Sequence, residues 1–158
     1  MLSEGEAAPD VTLAGMYGKP LSLADFRGQK LVLYFYPKDD TSGCTKEAQD
    51  FTALAPEFER AGTWILGVSK DDAKKHRKFT DKYELKIPLV TDPDGSVCEA
   101  FGTWVEKSMY GRKYMGIDRA TFLIDGDGVV QRVWRKVKVP GHAEEVLAAT
   151  RDLKTRGS

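Results

Sequence analysis

Two cysteines and two histidines are all the thiol and imidazole chemistry that this 158-residue chain carries. Two thiols do not make a disulfide framework. With no Cys-x-x-Cys or His-x-x-x-His pairing, they and the histidines do not lay out a zinc site either. Charge of one sign is also missing. The 24 Lys and Arg are balanced by 24 Asp and Glu, so the basic excess of a nucleic-acid binder is absent. No run of about 18 apolar residues exists to cross a membrane. The stretch from Met1 to Asp10 is acidic and polar, without the basic start and apolar stretch of a secretory signal. The expected compartment is therefore the cytoplasm, where the cysteines read as free thiols. There is no internal repeat and no low-complexity segment.

What is present is an ordinary globular composition, 41% apolar and 30% charged. The length points to one domain over residues 1–158, long enough to bury a core without staples. The segment Leu31 to Tyr36 is continuously apolar or aromatic, as a strand covered on both faces should be, and Pro37 stops it. Ala48, Phe51, Leu54, Ala55 and Phe58 then fall on one helical face, with Gly62 beyond. Trp64 to Val68 reads as a second strand, followed by a helix capped by Asp71 or Asp72 and running to about Tyr83, with Ala73, Phe79 and Tyr83 inward. Pro88 to Val90 is a short strand, Asp92 to Gly95 a turn, and Val97 to Phe101 a short helix stopped by Gly102. Thr121 to Ile124 and Val129 to Trp134 flank Asp125-Gly126-Asp127-Gly128 as a hairpin. A last helix follows Pro140-Gly141, with Val146, Leu147 and Leu153 as its stripe. The first 23 residues read as short strands and turns. This alternation predicts a layered α/β sheet of thioredoxin-like architecture, with a central mixed sheet flanked by helices and an N-terminal β-extension.

The loop after the central strand carries Cys44. In open α/β sheets ligands sit outside the carboxyl ends of the strands, where this loop lies. If Thr41 caps the helix, Cys44 falls in its first turn, among unpaired N–H groups at the positive end of the helix dipole. Helix starts and nearby cations favour thiolate over thiol. Cys44 is also four residues before Ala48, on the inward face. Location alone leaves two readings open, a reactive thiol in a pocket or a small buried hydrophobe. A reactive thiolate needs a partner for its own charge and for charge that develops on a leaving atom. Arg119 qualifies by topology: it precedes Thr121–Ile124, and if that strand runs antiparallel to Leu31–Tyr36 its start lies at the edge that carries Cys44. The other reading is a solvated strand-end arginine.

The run Phe35-Tyr36-Pro37-Lys38-Asp39-Asp40-Thr41-Ser42-Gly43-Cys44-Thr45 resembles the peroxidatic motif of peroxiredoxins, with Pro37, Thr41 and Cys44 at its spacing. Gly102-Thr103-Trp104-Val105-Glu106-Lys107-Ser108-Met109-Tyr110-Gly111, followed by Gly116 to Asp125, is similar to the bacterioferritin comigratory protein (PrxQ) subfamily. The resemblance runs from Pro9 to the last helix. It implies that Cys44 attacks the peroxide and becomes a sulfenic acid, and that Thr41 orients the peroxide through its hydroxyl. It implies that Arg119 holds the thiolate and the developing oxyanion, that Pro37 shields the site, and that Glu47 positions the arginine. It implies no metal and no organic cofactor. The partners would be a hydrogen peroxide or organic hydroperoxide substrate and a thioredoxin-type or small-thiol reductant, with no nucleic acid or membrane partner and a monomeric state.

Two departures stand out. Ser42 replaces a proline that would preset the first helical turn. More important, the two places where the subfamily carries a resolving cysteine hold Gln49 and Thr80. Cys98 is the remaining candidate for resolving, at a third family cysteine position that does not generally serve so. An external thiol is the favoured donor, ahead of an internal Cys44–Cys98 disulfide and an intermolecular one.

Other residues have plainer readings. His76, among Lys74, Lys75, Arg77 and Lys78, reads as part of a solvated basic face, and His142 as a cap or surface residue. Trp104, Met109, Tyr110, Tyr114 and Met115 read as packing over the sheet or as an apolar wall admitting organic hydroperoxides. Asp125 to Gly128 is too short for a calcium loop. Two rival functions stay on the table. A thiol–disulfide oxidoreductase would want a second thiol within Thr45-Lys46-Glu47. A non-enzymatic thioredoxin-fold interaction module would have no use for Cys44, Thr41 and Arg119 together.

Overall fold

The computed structural model describes residues 2–153, so the expected 1–158 domain extends past it at both ends. The strands are β1 (Thr12–Gly15), β2 (Pro20–Ser22), β3 (Lys30–Phe35), β4 (Thr63–Ser69), β5 (Leu89–Thr91), β6 (Trp104–Met109), β7 (Arg112–Ile117), β8 (Ala120–Ile124) and β9 (Val130–Trp134). The helices are α1 (Ser42–Arg60), α2 (Ala73–Tyr83), α3 (Ser96–Phe101) and α4 (His142–Asp152). Seven strands form one mixed sheet in the order β2-β1-β5-β4-β3-β8-β9, a thioredoxin-like arrangement with an N-terminal β-extension. β3, β4 and β5 are parallel. β8 is antiparallel to β3, pairing Leu31 with Ile124 and Phe35 with Ala120.

Every residue of β3 is buried because both faces are covered. Its alternation divides the core in two. Val32, Tyr34 and Tyr36 face a layer built from α1, α2 and α4, with Ala48, Phe51, Phe79 and Val146. Leu31, Leu33 and Phe35 face the N-terminal extension and α3, with Leu13, Val97, Cys98 and Phe101. Lys30, at the opposite end of β3 from Cys44, is buried and donates to the carbonyls of Thr150 and Leu153, closing the end of α4.

The expected elements all form, with two additions, a one-turn 3₁₀ helix at Leu23–Phe26 and a hairpin. The Trp104–Met115 stretch is a separate two-stranded hairpin, β6 with β7. Trp104 packs on the core, and Lys70 Nζ lies 4.3 Å from the centre of its ring. Met109, Tyr110, Tyr114 and Met115 are exposed, so they do not pack over the sheet. Cross-strand pairing, with a turn at Tyr110-Gly111 where both residues have positive φ, organises this segment instead.

Candidate active site

Cys44 stands where β3 hands over to α1. Thr41 has the extended backbone of an N-cap, and Thr45 N–H donates to its carbonyl at 2.8 Å, the first helical bond. The geometry of a helix start leaves the N–H groups of Ser42, Gly43 and Cys44 without an i−4 acceptor. Thr41 does not cap through its side chain. Its hydroxyl donates to Lys38 O at 2.9 Å, which leaves the oxygen's lone pairs open to accept.

Cys44 is only 2% exposed and packs with Tyr34, Ala48 and Phe51. The antiparallel β3–β8 register brings Arg119, one residue before β8, to this same edge. Its backbone is fixed by Val137 N–H donating to its carbonyl at 3.0 Å. One guanidinium nitrogen, Nη2, donates to Cys44 Sγ at 3.3 Å, and Nη1 donates to Glu47 Oε1 at 2.6 Å. Glu47 lies one turn along α1 from Cys44, so one helix face presents both partners of the arginine. Gly43 makes room for it: a Cβ there would stand 3.2 Å from Arg119 Nη2.

The electrostatics of the cluster are uneven. Glu47 is 1% exposed and its Oε2 has no hydrogen-bond partner among the described residues. Burial pushes its carboxyl up to about 7, against the pull of Arg119. Burial works to lower Arg119, yet Glu47 and Cys44 outweigh it and raise the guanidinium. Tyr34 is driven well above its ordinary value, first by burial and then by the negative charge of Glu47 and Cys44. Lys107 of β6 also feels the site. Burial lowers it, Asp118 and Cys44 oppose that, and Arg119 adds to it.

Pro37 is exposed, just past the end of β3. Cys98 lies away from this cluster, on the inner side of α3 over the other face of the sheet. Its thiol is pushed up to about 12, by burial first and then by Asp92, whose carboxylate accepts from the N–H groups of Val97 and Cys98. Thr80 lies on α2 with its hydroxyl 3.6 Å from Met16 Sδ.

Both histidines overturn their expected surface reading. His76 is fully buried: Nδ1 is 2.7 Å from Asp39 Oδ2 and Nε2 is 3.1 Å from Val90 O. Its lysine and arginine neighbours sit on the solvent side, but Ala73, His76, Phe79 and Tyr83 form one inward stripe, and that spacing was the available signal. His142 does begin α4, but buried, with Nε2 2.8 Å from Thr121 Oγ1 and its ring edge-on to Phe51 and Trp134. Burial lowers it to about 4.

Residues 5–133 match the AhpC/TSA family, and the chain belongs to it. Peroxiredoxin Bcp of Xanthomonas campestris is 51% identical over 140 residues, 89% of this chain and 88% of that protein. Peroxiredoxin Bcp of Bacillus subtilis is 45% identical over 149 residues, 94% and 95% of the two chains. Among solved structures, the X. campestris bacterioferritin comigratory protein, described for its alkyl peroxide reduction activity, superposes with a TM-score of 0.88 at 47% identity, covering 96% of this chain and 97% of that one. Xylella fastidiosa PrxQ gives 0.91 at 40% identity, covering 96% and 97%. Within the family this chain is a peroxiredoxin of the Bcp/PrxQ group, a thiol-dependent peroxidase. No helix among the described residues is long and apolar enough to cross a membrane.

Proposed function

We propose that Cys44 is the peroxidatic cysteine and that the enzyme reduces hydrogen peroxide and organic hydroperoxides in a one-cysteine cycle. The observation that carries this is the partly buried line Glu47–Arg119–Cys44, with contacts of 2.6 and 3.3 Å at a helix start. The Cys44 thiolate attacks the nearer peroxide oxygen. An S–O bond forms, the O–O bond breaks, and water or an alcohol leaves after taking up a proton. Sulfur is oxidised to the sulfenic acid and the peroxide is reduced. Thr41 Oγ1 accepts from the peroxide O–H, since its own proton is committed to Lys38 O. Arg119 stabilises charge first on sulfur and then on the departing oxygen. Glu47 holds Arg119 in place, and Pro37 shapes the loop that covers the sulfur.

An outside thiol then attacks the sulfenic sulfur and water leaves. The mixed disulfide is cleared by a second thiol. The burial of Cys98 on the opposite face supports a donor from outside, either a thioredoxin-type protein or a small thiol. The likeness to a relative described for alkyl peroxide reduction supports organic hydroperoxides as substrates. The reading includes one peroxidase domain acting as a cytoplasmic monomer, as the subfamily resemblance implies. Reduced protein should consume one equivalent of hydrogen peroxide, and Cys44→Ser should consume none, because a serine hydroxyl is not ionised near neutrality. Rapid consumption by Cys44→Ser would refute the assignment.

A further inference from the structure

The loop that delivers Cys44 is tied to α2 at two points. At the inner point, His76 lies between two acceptors. Val90 O can only accept, so Nε2 carries a hydrogen. The 2.7 Å contact between Nδ1 and Asp39 Oδ2 holds a further proton, whichever atom carries it. Tyr36 O–H donates to the other Asp39 oxygen at 2.6 Å, and Asp39 N–H donates to Asp71 Oδ2 at 2.8 Å. Asp71 is itself held by the Ser69 hydroxyl at 2.8 Å. One aspartate thus joins the ends of β3 and β4 to α2, out of water. At the outer point Asp40 has a left-handed backbone, φ 58°, which non-glycine residues rarely adopt. Lys82 Nζ and Tyr83 O–H, from the last turn of α2, donate to its two carboxylate oxygens, each at 2.8 Å.

A buried polar cluster is a costly way to fasten a loop that apolar packing could hold. What it adds is a fixed position. Asp39 and Asp40 immediately precede Thr41, whose carbonyl accepts the first bond of α1. We propose that Asp39 and His76 are positioning residues of the Cys44 site, the inner half of a clamp whose outer half is Asp40 with Lys82 and Tyr83. The proposal rests on the peroxidase reading above. With the clamp closed, Cys44 stays buried beside Arg119, and its sulfenic acid stays out of reach of bulky thiols. With the clamp open, the sulfur loses its partner and becomes accessible.

The test uses the full chain and two readouts at Cys44, resolved by mass spectrometry. One is the single-turnover rate of oxidation by hydrogen peroxide. The other is the rate of alkylation by a bulky maleimide relative to iodoacetamide. Asp39→Ala and His76→Gln should slow oxidation and raise the bulky-reagent ratio, each roughly tenfold, since a misplacement of about 1 Å can cost up to about 10²-fold. His76→Asn places an amide N–H where Nδ1 stood, so it should stay within about threefold of wild type on both readouts, the scale of a partly weakened contact. Lys82→Met with Tyr83→Phe touches only the surface half, so changes of about threefold in the same directions are expected. Lys30→Met, a buried change at the far edge of the sheet, should lower the melting temperature and move neither readout.

Unchanged readouts in folded Asp39→Ala and His76→Gln would overturn the clamp. So would equal impairment by the Asn and Gln variants, the signature of simple packing. If the inner variants do not fold, the surface pair decides, and no change there overturns the proposal. The alkylation ratio does not depend on peroxide chemistry. A wild-type Cys44 that peroxide fails to oxidise would therefore sink the peroxidase reading separately.

Discussion

Replacing Arg119 by methionine keeps most of the side-chain volume and removes the guanidinium that donates to Cys44. At 3.3 Å and an effective dielectric of about 20, a unit charge pair is worth about 5 kcal/mol. Arg119 is 17% exposed, so solvent screens part of that. The loss should approach that of a preorganised donor at a developing oxyanion, about 3–4 kcal/mol or roughly 10²–10³ in oxidation rate. Stability should respond differently, because Glu47 is left buried without a partner. With Arg119 present its carboxyl titrates at about 7 rather than 4.5. Its contribution to stability is complete below about 4.5 and is lost as pH rises through about 7. Without Arg119 the loss continues to higher pH, at about 1.4 kcal/mol per unit. Arg119→Met should therefore cost little stability at pH 6, about 1.4 kcal/mol at pH 8 and about twice that at pH 9. Adding Glu47→Gln should restore stability at pH 9 without restoring the rate. Stopped-flow oxidation and urea melts at the three pH values measure both. An oxidation rate within threefold of wild type, or a stability loss equal at pH 6 and pH 9, would refute the reasoning.

Three further outcomes are expected. Gly43→Ala should slow oxidation about threefold to tenfold, because its Cβ would crowd Arg119 Nη2 at 3.2 Å; thermal stability should hold or rise, since alanine suits a helix better than glycine. A dimedone-type trap added after peroxide should label Cys44 equally in wild type and Cys98→Ser, and the oxidised wild type should run as a monomer on a non-reducing gel. Labelling confined to Cys98→Ser would show that Cys98 consumes the sulfenic acid. Burial lowers His142 from 6.5 to about 4, so its contribution is present above about 6.5 and is lost as pH falls toward 4, about 3 kcal/mol in all. His142→Gln should flatten urea-melt stability over that interval, and an unchanged slope would place the titration elsewhere.

The central strand, the helix that follows it and the place of Cys44 were legible because each is set by local pattern. Apolar residues run unbroken through β3, Pro37 stops it, and α1 shows its stripe at steps of three and four. Chain order made Arg119 a candidate but left a solvated strand-end reading open, since pattern alone does not show that β8 runs antiparallel to β3. His76 was not legible, because four basic neighbours drew attention to the solvent side of α2 while the step from Ala73 to Phe79 ran through the histidine. The β6–β7 hairpin escaped because its aromatic and methionine residues look like core, yet cross-strand pairing leaves Met109, Tyr110, Tyr114 and Met115 exposed, with only Trp104 packed on the core. The proton count of the Asp39–His76 contact depends on which atoms face Nε2 and Nδ1, and no spacing in the sequence encodes that.

Which face of the sheet a helix covers is likewise set by the path of the chain, and for the two thiols this decides the chemistry. Cys44 sits on the inner face of α1 with Val32, Tyr34 and Tyr36; Cys98 sits on the inner face of α3 with Leu31, Leu33 and Phe35. The sheet itself lies between them. A disulfide needs Cα atoms within about 7 Å and side chains aimed at one another, so bridging would require α1 or α3 to leave the sheet. Chemistry adds to the geometry. With its thiol at about 12, Cys98 is ionised to about one part in 10⁵ at pH 7, and the thiolate is the attacking form. Even an opened structure would offer a poor nucleophile until Cys98 reached water. An outside thiol faces neither obstacle at Cys98 and only one at Cys44, the loop held by Asp39 and Asp40. On the proposed reading, the rate at which that loop opens would set whether a sulfenic acid meets its reductant or a second peroxide.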